Sequence, residues 1–456
     1  MPENPQTPAA QEENANRLRL FQLNLNKSEK AHLDILNERV SQKFDVMLIQ
    51  EPYTTTFNAI RTPSNFRPVF PIHRLQNEDQ IRSVIWVNKK LDTKNWTAIN
   101  IPGTNDITAI QINGPHGTLS IFNIYNDCTH SRNETLLRRY IHEHTNTLLA
   151  SENHHLLLAG DFNRHHLLWD NDKDIHLFTQ QATRLAAGLI GLIATYDLSM
   201  ALPKGIPTLQ HMVTKRYSRP DNVFNTVGLS DYIIKCEVDP ALRPLSTDHF
   251  PITTDISLPQ ERIEAIPSYN FREANWDNFK KKLKAKLDLT PNPRQIISQD
   301  QLTAAVDQLT SAIQDTIKES VVKSKPRPDA KRWWNGDLKK MKKELSRLRS
   351  ASFSFLAIAN HPSHEELRIK NNQYSDLIVQ AKRQHWINYL EEMTAADIWT
   401  ANKFIKEPAG DGGCPRIPTL KTRNEQGAEI LVNNNEDKAT SFAKTFFHHH
   451  QISQKT

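Results

Sequence analysis

The chain has 456 residues and a formal net charge of +6, long enough for two or more domains at about 150 residues each. Its polar opening, MPENPQTPAAQEENAN, lacks the apolar core of a signal peptide, and no run approaches the ~18 apolar residues of a membrane span. Three scattered cysteines (Cys128, Cys236, Cys414) make neither a zinc pattern nor a disulfide framework, so a soluble protein of a reducing, intracellular compartment is expected.

Residues 1–16, rich in Pro, Gln and Asn, read as a disordered lead-in. Leu18–Leu25 alternates as a strand ending in Asn24, Asn26 and Lys27, and 30–43 has helical spacing. The apolar strand Asp45–Gln50 delivers Glu51, and Pro52 stops the ladder there. Strand-like runs follow at Ile81–Val87, Ile107–Ile112 and Thr118–Tyr125, then a helix at Arg132–Ala150. The run Leu156–Ala159, closed by Gly160, has the continuous apolarity of a buried strand. Off its end come Asp161, Asn163, His165, His166 and Trp169. A rigid strand that presents such groups in a loop is a common way to build an active site, although Asp and Asn also favour plain turns. A helix at about 180–195 and strands at Thr208–Val213, Asn222–Val227, Tyr232–Val238 and Phe250–Ile256 complete the region. Strands interleaved with a few helices predict a layered α/β fold over 17–260.

From 261 the texture changes to charged helical patterns, at 300–320, 331–350, 364–392 and 396–406. Residues 1–260 hold 25 Lys and Arg against 27 Asp and Glu, whereas 261–456 hold 32 against 24, so attraction to a polyanion is expected late in the chain. Within the basic stretch, Lys331, Arg332, Lys339 and Lys340 surround Trp333 and Trp334, a mixture suited to phosphates and bases. The alternative is that both tryptophans anchor their helix on its neighbours.

Collected at strand ends are Asn24, Glu51, Tyr125, Asp161, Asn163, Asp221, Asp248 and His249. Carboxylates such as Glu51, Asp161 and Asp248 suit a hard cation, magnesium above all, with manganese as a substitute. His249 reads as a general base or a donor to phosphate, with Asp221 the candidate to orient its ring.

These segments resemble the endonuclease/exonuclease/phosphatase superfamily, and within it the apurinic-endonuclease-like nickase domain of non-LTR retrotransposons. The segments that match are Gln22-Leu23-Asn24, Leu48–Pro52, Phe122–Tyr125, Gly160–Asn163 with His165, His166 and Trp169, Arg219-Pro220-Asp221, and Ser246–Ile252. The resemblance implies a four-layered α/β sandwich. It implies that Glu51 binds the metal with Asn24 and Asp248 near it, and that Asp161 activates or positions the attacking water. Asn163 would orient the phosphate and Tyr125 would donate to it, while His249, oriented by Asp221, contacts the phosphate or takes the water's proton. Thr247 stands where serine is usual and keeps a hydroxyl; Asn126-Asp127-Cys128 departs from the repair enzymes, which puts one phosphate contact in doubt.

Residues 261–456 look, more loosely, like the linker between endonuclease and reverse transcriptase. No Asp-Asp polymerase motif is present, so no polymerase activity is expected. The implied function is magnesium-dependent nicking of DNA to leave a 3′-hydroxyl that primes reverse transcription. The basic region would contact DNA or element RNA, the workplace would be the nucleus, and no membrane is involved. The alternatives are a phosphatase or phosphodiesterase of the same superfamily, and a retroelement remnant that binds nucleic acid without cutting.

Overall fold

The computed structural model describes residues 17–36, 43–55, 59–75, 80–115, 117–260, 274–289, 296–323 and 333–393, with short pieces at 262, 269–271, 420–423, 429–432 and near 440. The expected lead-in 1–16, the expected helix 396–406, Cys414, Lys331 and Arg332 lie outside them.

In chain order the strands are β1 (Leu18–Asn24), β2 (Val46–Gln50), β3 (Phe66–Val69), β4 (Ser83–Asn88), β5 (Trp96–Ile99), β6 (Ile107–Gly114), β7 (Gly117–Tyr125), β8 (His154–Asp161) and β9 (Leu198–Met200). A small hairpin, β10 (Leu209–Gln210) and β11 (Tyr217–Ser218), precedes β12 (Asp221–Thr226), β13 (Ile233–Val238) and β14 (Ile252–Ile256). One six-stranded sheet has the order β13-β14-β1-β2-β4-β3 and the other β5-β6-β7-β8-β12-β9. Each is mixed, with one parallel pair near its centre, β1 with β2 and β7 with β8.

Strand alternation builds the layers. In β1, Leu18 and Leu20 face the other sheet while Phe21 and Leu23 face outward; in β8, Leu157 and Ala159 face in while Leu156 and Leu158 face out. Both faces are covered, which is why these strands read as unbroken apolar runs. Outside the first sheet lies α1 (Glu29–Leu36), which contributes Ala31, Leu33 and Ile35. Outside the second lie α2 (Arg132–Glu143) and α3 (Gln180–Thr195), with Leu137, Ile141, Leu189 and Leu192. The result is the expected four-layered sandwich.

The departures are local. The helix expected through Ala150 breaks at His144 and resumes for one turn at Thr145–Leu148. The strand expected at Thr208–Val213 is two residues long. β3, β5 and β9 went unread, being short and, in β5, largely exposed.

The chain divides into two compact units, Met1–Arg262 with Lys331–Thr456, and Ile263–Ala330. The smaller unit pairs α4 (Trp276–Asp288) with α5 (Gln299–Ser320). Each is capped at its start, by Asn275 and Ser298, and Glu319 receives Lys286 at 2.7 Å. In the larger unit, α6 (Gly336–Ser354) and α7 (Pro362–Glu391) pack together and onto the sandwich. Phe353 meets Phe250 edge-to-face at 5.0 Å. Asp34 of α1 is buried in an ion pair with Lys342 and receives the Tyr374 hydroxyl at 3.4 Å. No helix among the described residues is long and apolar enough to cross a membrane.

Candidate active site

The layer between the sheets changes character toward one rim. The inward positions that follow the aliphatic ones are Gln22 and Asn24 in β1, Gln50 in β2, Asn123 and Tyr125 in β7, Asp161 in β8 and Asp221 in β12. The first of these polar groups tie the sheets together. Gln22 Nε2 donates to Gly160 O at 3.0 Å, and Gln50 Nε2 donates to Asn123 Oδ1. Asn123 Nδ2 in turn donates to Ile49 O at 3.0 Å and Val84 O at 2.9 Å. Buried polar groups demand partners, and here the partners lie on the opposite sheet.

The last inward positions form the site. Tyr125, Asp161 and Asp221 are register partners across β7, β8 and β12. Asn24 reaches over from the first sheet, and its Nδ2 donates to Asp161 Oδ2 at 2.8 Å. From the loop before β14, His249 Nδ1 donates to Asp221 Oδ2 at 2.8 Å. The His249 Nε2 atom then lies 3.9 Å from both Asp161 Oδ2 and Asp248 Oδ1. Asp161, Asp221 and His249 are all buried, and each offers a ligand-type atom within 4.8 Å of the others.

Gly160 makes this register possible. Its φ is +147°, and a Cβ there would lie 1.9 Å from Ile124 O. The backbone strain sits at the same rim: Asn26, Lys27, Glu51, Asn163 and Ser246 all have φ between +43° and +61°. Non-glycine residues rarely adopt such angles, and they concentrate where function fixes them.

The electrostatics follow from three carboxylates around one imidazole. Burial pushes the Asp161 carboxyl well above its usual range, and the nearby Asp221 charge adds to this. For His249 burial acts downward, but the charge and hydrogen bond of Asp221, with Asp161 and Asp248 behind it, prevail and raise it to about 9. Tyr125 is raised by burial and then by Glu51 and Asp161, so its phenol keeps its proton. Glu51 lies 3.3 Å from Lys27 Nζ, and Asp248 Oδ1 accepts from Asn26 Nδ2 at 3.1 Å. Asn163 donates its backbone N–H to Asp161 Oδ1 at 3.1 Å and its side-chain amide to Asn126 O at 2.7 Å.

The eight residues singled out at strand ends therefore share one rim, and in the basic–aromatic stretch Trp333 and Trp334 take part in packing. Trp334 stands edge-on to Tyr374, and both tryptophans pack against the cluster of Leu245, Leu338 and Leu345. Their faces carry Lys382 at 5.3 Å and Lys342 at 5.8 Å, as in the anchoring alternative. Lys339 and Lys340 are exposed. Trp169 is core, against Phe224. His165 and His166 flank the buried Asp170, which accepts the His166 N–H at 2.8 Å.

Three participants had no sequence signal. Thr208 donates its hydroxyl to Asp221 Oδ2 at 2.7 Å and accepts the Asp221 N–H at 3.1 Å. Arg82 lies over the Tyr125 ring at 4.7 Å while paired to Asp106 and Asp127 at 2.7 and 2.9 Å. Arg164, fully buried, pairs with Glu134 at 2.7 Å and holds the carbonyls of Asp127 and His130. Asn126 Nδ2 donates to Glu134 Oε1 at 3.0 Å.

The donor set fits a hard divalent cation. Glu51, Asp161 and Asp248 would supply oxygens and Asn24 an amide oxygen, while the group whose ligand-type atoms lie within 4.8 Å of one another is Asp161, Asp221 and His249. Asp221 fits less well as a ligand, because its Oδ2 already accepts both His249 and Thr208.

Residues 119–253 match the family model described as endonuclease-reverse transcriptase. That span includes Tyr125, Asp161, Asn163, Asp221, Asp248 and His249 but neither Asn24 nor Glu51. Among curated proteins, the putative 115 kDa protein of the type-1 retrotransposable element R1DM of Drosophila melanogaster is 26% identical over 191 residues. This alignment takes in 41% of the present chain and only 18% of that protein. Among solved structures, the endonuclease domain of TRAS1, a telomere-specific non-LTR retrotransposon, is similar at 20% identity and a TM-score of 0.42. It aligns over 53% of this chain and 100% of its own. The AP endonuclease LMAP from Leishmania major is similar at 13% identity and a TM-score of 0.42, over 57% of this chain and 93% of its own. The resemblance read from the sequence motifs is borne out by the family model and the curated relative.

Proposed function

We propose that the protein is a metal-dependent endonuclease that hydrolyses a phosphodiester bond in one DNA strand and leaves a 3′-hydroxyl for target-primed reverse transcription. The observation that carries the reading is the convergence of Asp161, Asp221 and His249 from three separate elements on one buried rim. A divalent cation held by Glu51 and Asp248, with Asn24 and Asp161 beside them, would polarise a phosphoryl oxygen and offset charge on the leaving oxygen.

The protein's own groups divide the remaining work. Asp221 fixes Nδ1 of His249 and leaves Nε2 facing the cleft. Flanked by three carboxylates, the imidazole is held in its charged form and donates to a phosphate oxygen. The water's proton then falls to Asp161, whose other oxygen contacts are hydrogen bonds from Asn24 and the Asn163 backbone. The Tyr125 phenol is a second donor to the phosphate, and Asn163 positions it. A chromosomal substrate places this work in the nucleus, and magnesium is the cation of choice for a carboxylate site facing a phosphate.

The test is supercoiled-plasmid nicking by the full chain, with magnesium, with manganese and with chelator, beside Asp161→Ala. Cation-dependent nicks with 3′-hydroxyl ends that vanish in the variant support the reading. Phosphate release from inositol phosphates without nicking would replace it with a phosphatase; DNA binding without either would make the chain a silent remnant.

A further inference from the structure

The turn that carries Asp248 and His249 is held at both ends by helices that lie beyond the matched span 119–253. At its start, Leu245 is buried in a cluster with Leu338 and Leu345 of α6 and Tyr374 of α7. The Leu245 N–H donates to Asp34 Oδ2 at 3.4 Å, and that carboxylate is the one paired with Lys342 of α6. At its end, the Phe250 ring meets Phe353 of α6 edge-to-face at 5.0 Å. Leu338, Lys342, Leu345 and Phe353 follow at steps of four, three and eight residues, so one face of α6 makes all of these contacts.

The four residues between the two anchors are Ser246, Thr247, Asp248 and His249. Their backbone is strained and tied down from several sides. Ser246 has φ +61°. Thr247 donates its hydroxyl to Asn24 O at 2.8 Å, and its carbonyl accepts from Arg243 at 2.9 Å. Asp248 O accepts the Gln210 N–H at 2.8 Å, and Phe250 N–H donates to Thr208 O at 2.7 Å. A left-handed residue other than glycine persists only where its surroundings over-determine it. Without the face of α6, Leu245 and Phe250 would lose apolar cover, and burial would no longer oppose a looser turn. The catalytic cost of loosening is direct, because His249 Nε2 is set 3.9 Å from Asp161 Oδ2 from this turn alone.

We propose that α6 is a clamp on the turn that bears Asp248 and His249, with Leu345 and Phe353 as positioning residues. Neither touches substrate or cation; they keep the imidazole and the Asp248 carboxylate in place against the sheet that carries Asp161. The effect on cutting rests on the nuclease reading above, whereas the hold on the turn does not.

The test compares the full chain with Phe353→Ala, Leu345→Ala and Phe353→Tyr, by nicking kinetics over a range of plasmid concentrations and by amide hydrogen exchange. Phe355→Ala is the control, a residue just past α6 that is exposed and stacks on His361 at 3.9 Å. Phe353→Ala should lower the turnover number about 10- to 10²-fold with KM nearly unchanged, the size of a small misplacement of reacting groups. It should also speed exchange of the 243–250 amides while β8 and β12 keep their protection. Leu345→Ala should do the same with some loss of melting temperature. Phe353→Tyr, which keeps the ring, should restore most of the rate, and the control should match the parent. Unchanged exchange at 243–250 in both alanine variants overturns the clamp. So does exchange that rises equally in β8 and β12, since the two residues would then serve stability alone. A parent that does not nick, in which the turn still loosens selectively, counts against the nuclease reading and leaves the clamp standing.

Discussion

Asn24 Nδ2 donates to Asp161 Oδ2 at 2.8 Å from one sheet to the other. The orientation of the residue proposed to take the water's proton therefore depends on how the two sheets are packed, and not on its own strand alone. Asn24→Asp, nearly isosteric, would bring a second buried carboxylate against Asp161. It should lower nicking more than Asn24→Ala and also lower the melting temperature, whereas Asn24→Ala leaves an acceptor short of one donor at about 1–3 kcal/mol. Equal activity of the two variants would sink the idea.

The imidazole of His249 depends on Asp221, and Asp221 on Thr208. Asp221→Asn is expected to reduce the turnover number by about 10²- to 10⁴-fold, in the range of an acid–base contribution, with little change in KM. Thr208→Val should have a smaller effect in the same direction, because it removes a contact to the orienting residue only. Single-turnover nicking separates these from binding defects.

Gly160→Ala tests the close approach of β8 to β7. A Cβ at 1.9 Å from Ile124 O has nowhere to go, since the obstacle is backbone. The expected outcome is loss of more than about 4 kcal/mol in chemical denaturation, or no folded protein at all. Near wild-type stability would mean that the strand pairing differs from that described.

Asp34 and Lys342 join α1 to α6 through a buried ion pair. Removing the carboxylate with Asp34→Ala strands a buried ammonium and should cost about 3–5 kcal/mol, whereas Lys342→Met combined with Asp34→Leu should recover much of that. Denaturation of the three proteins, compared at one pH, measures it.

Cys236 is buried in the core against β14, where the Thr254 hydroxyl contacts its sulfur, and burial raises the thiol from 9.0 to about 11. A folded value above the unfolded one means stability that is fully present below pH 9 and lost as pH climbs toward 11. The rise corresponds to at most about 2.7 kcal/mol. Cys236→Ala should therefore show a flatter loss of stability between those two pH values than the parent; parallel curves would refute it.

The inner strands and their rim were legible because strands covered on both faces leave long apolar runs, and each run ends abruptly in a chemical residue, as Gln50 does before Glu51. That two sheets pack as a sandwich was implied only by the family resemblance, since periodicity does not say which strands pair. Strand β5 was not legible, because Thr97 and Ala98 are exposed and carry no alternation worth reading. The partners of the site were hidden for a different reason. Thr208 and Arg82 act through contacts made 13 and 24 residues away in the chain, and nothing in their immediate neighbours marks them. Trp333 and Trp334 show the converse: a composition suited to nucleic acid is equally suited to packing against Tyr374 and its neighbours, a role that only the folded chain reveals.

The row of Tyr125, Asp161 and Asp221 is set by strand register, and successive side chains in a strand point to opposite faces. A slip of one residue between β8 and β12 would turn Asp221 outward and present Asn222 or Pro220 in its place. There is no halfway arrangement in which His249 is partly supported. Single-residue insertions or deletions inside these strands should thus extinguish cutting outright, even where every motif letter survives. For copies of such a gene that drift in length, a nicking assay reads frame-by-frame integrity that a motif search would miss.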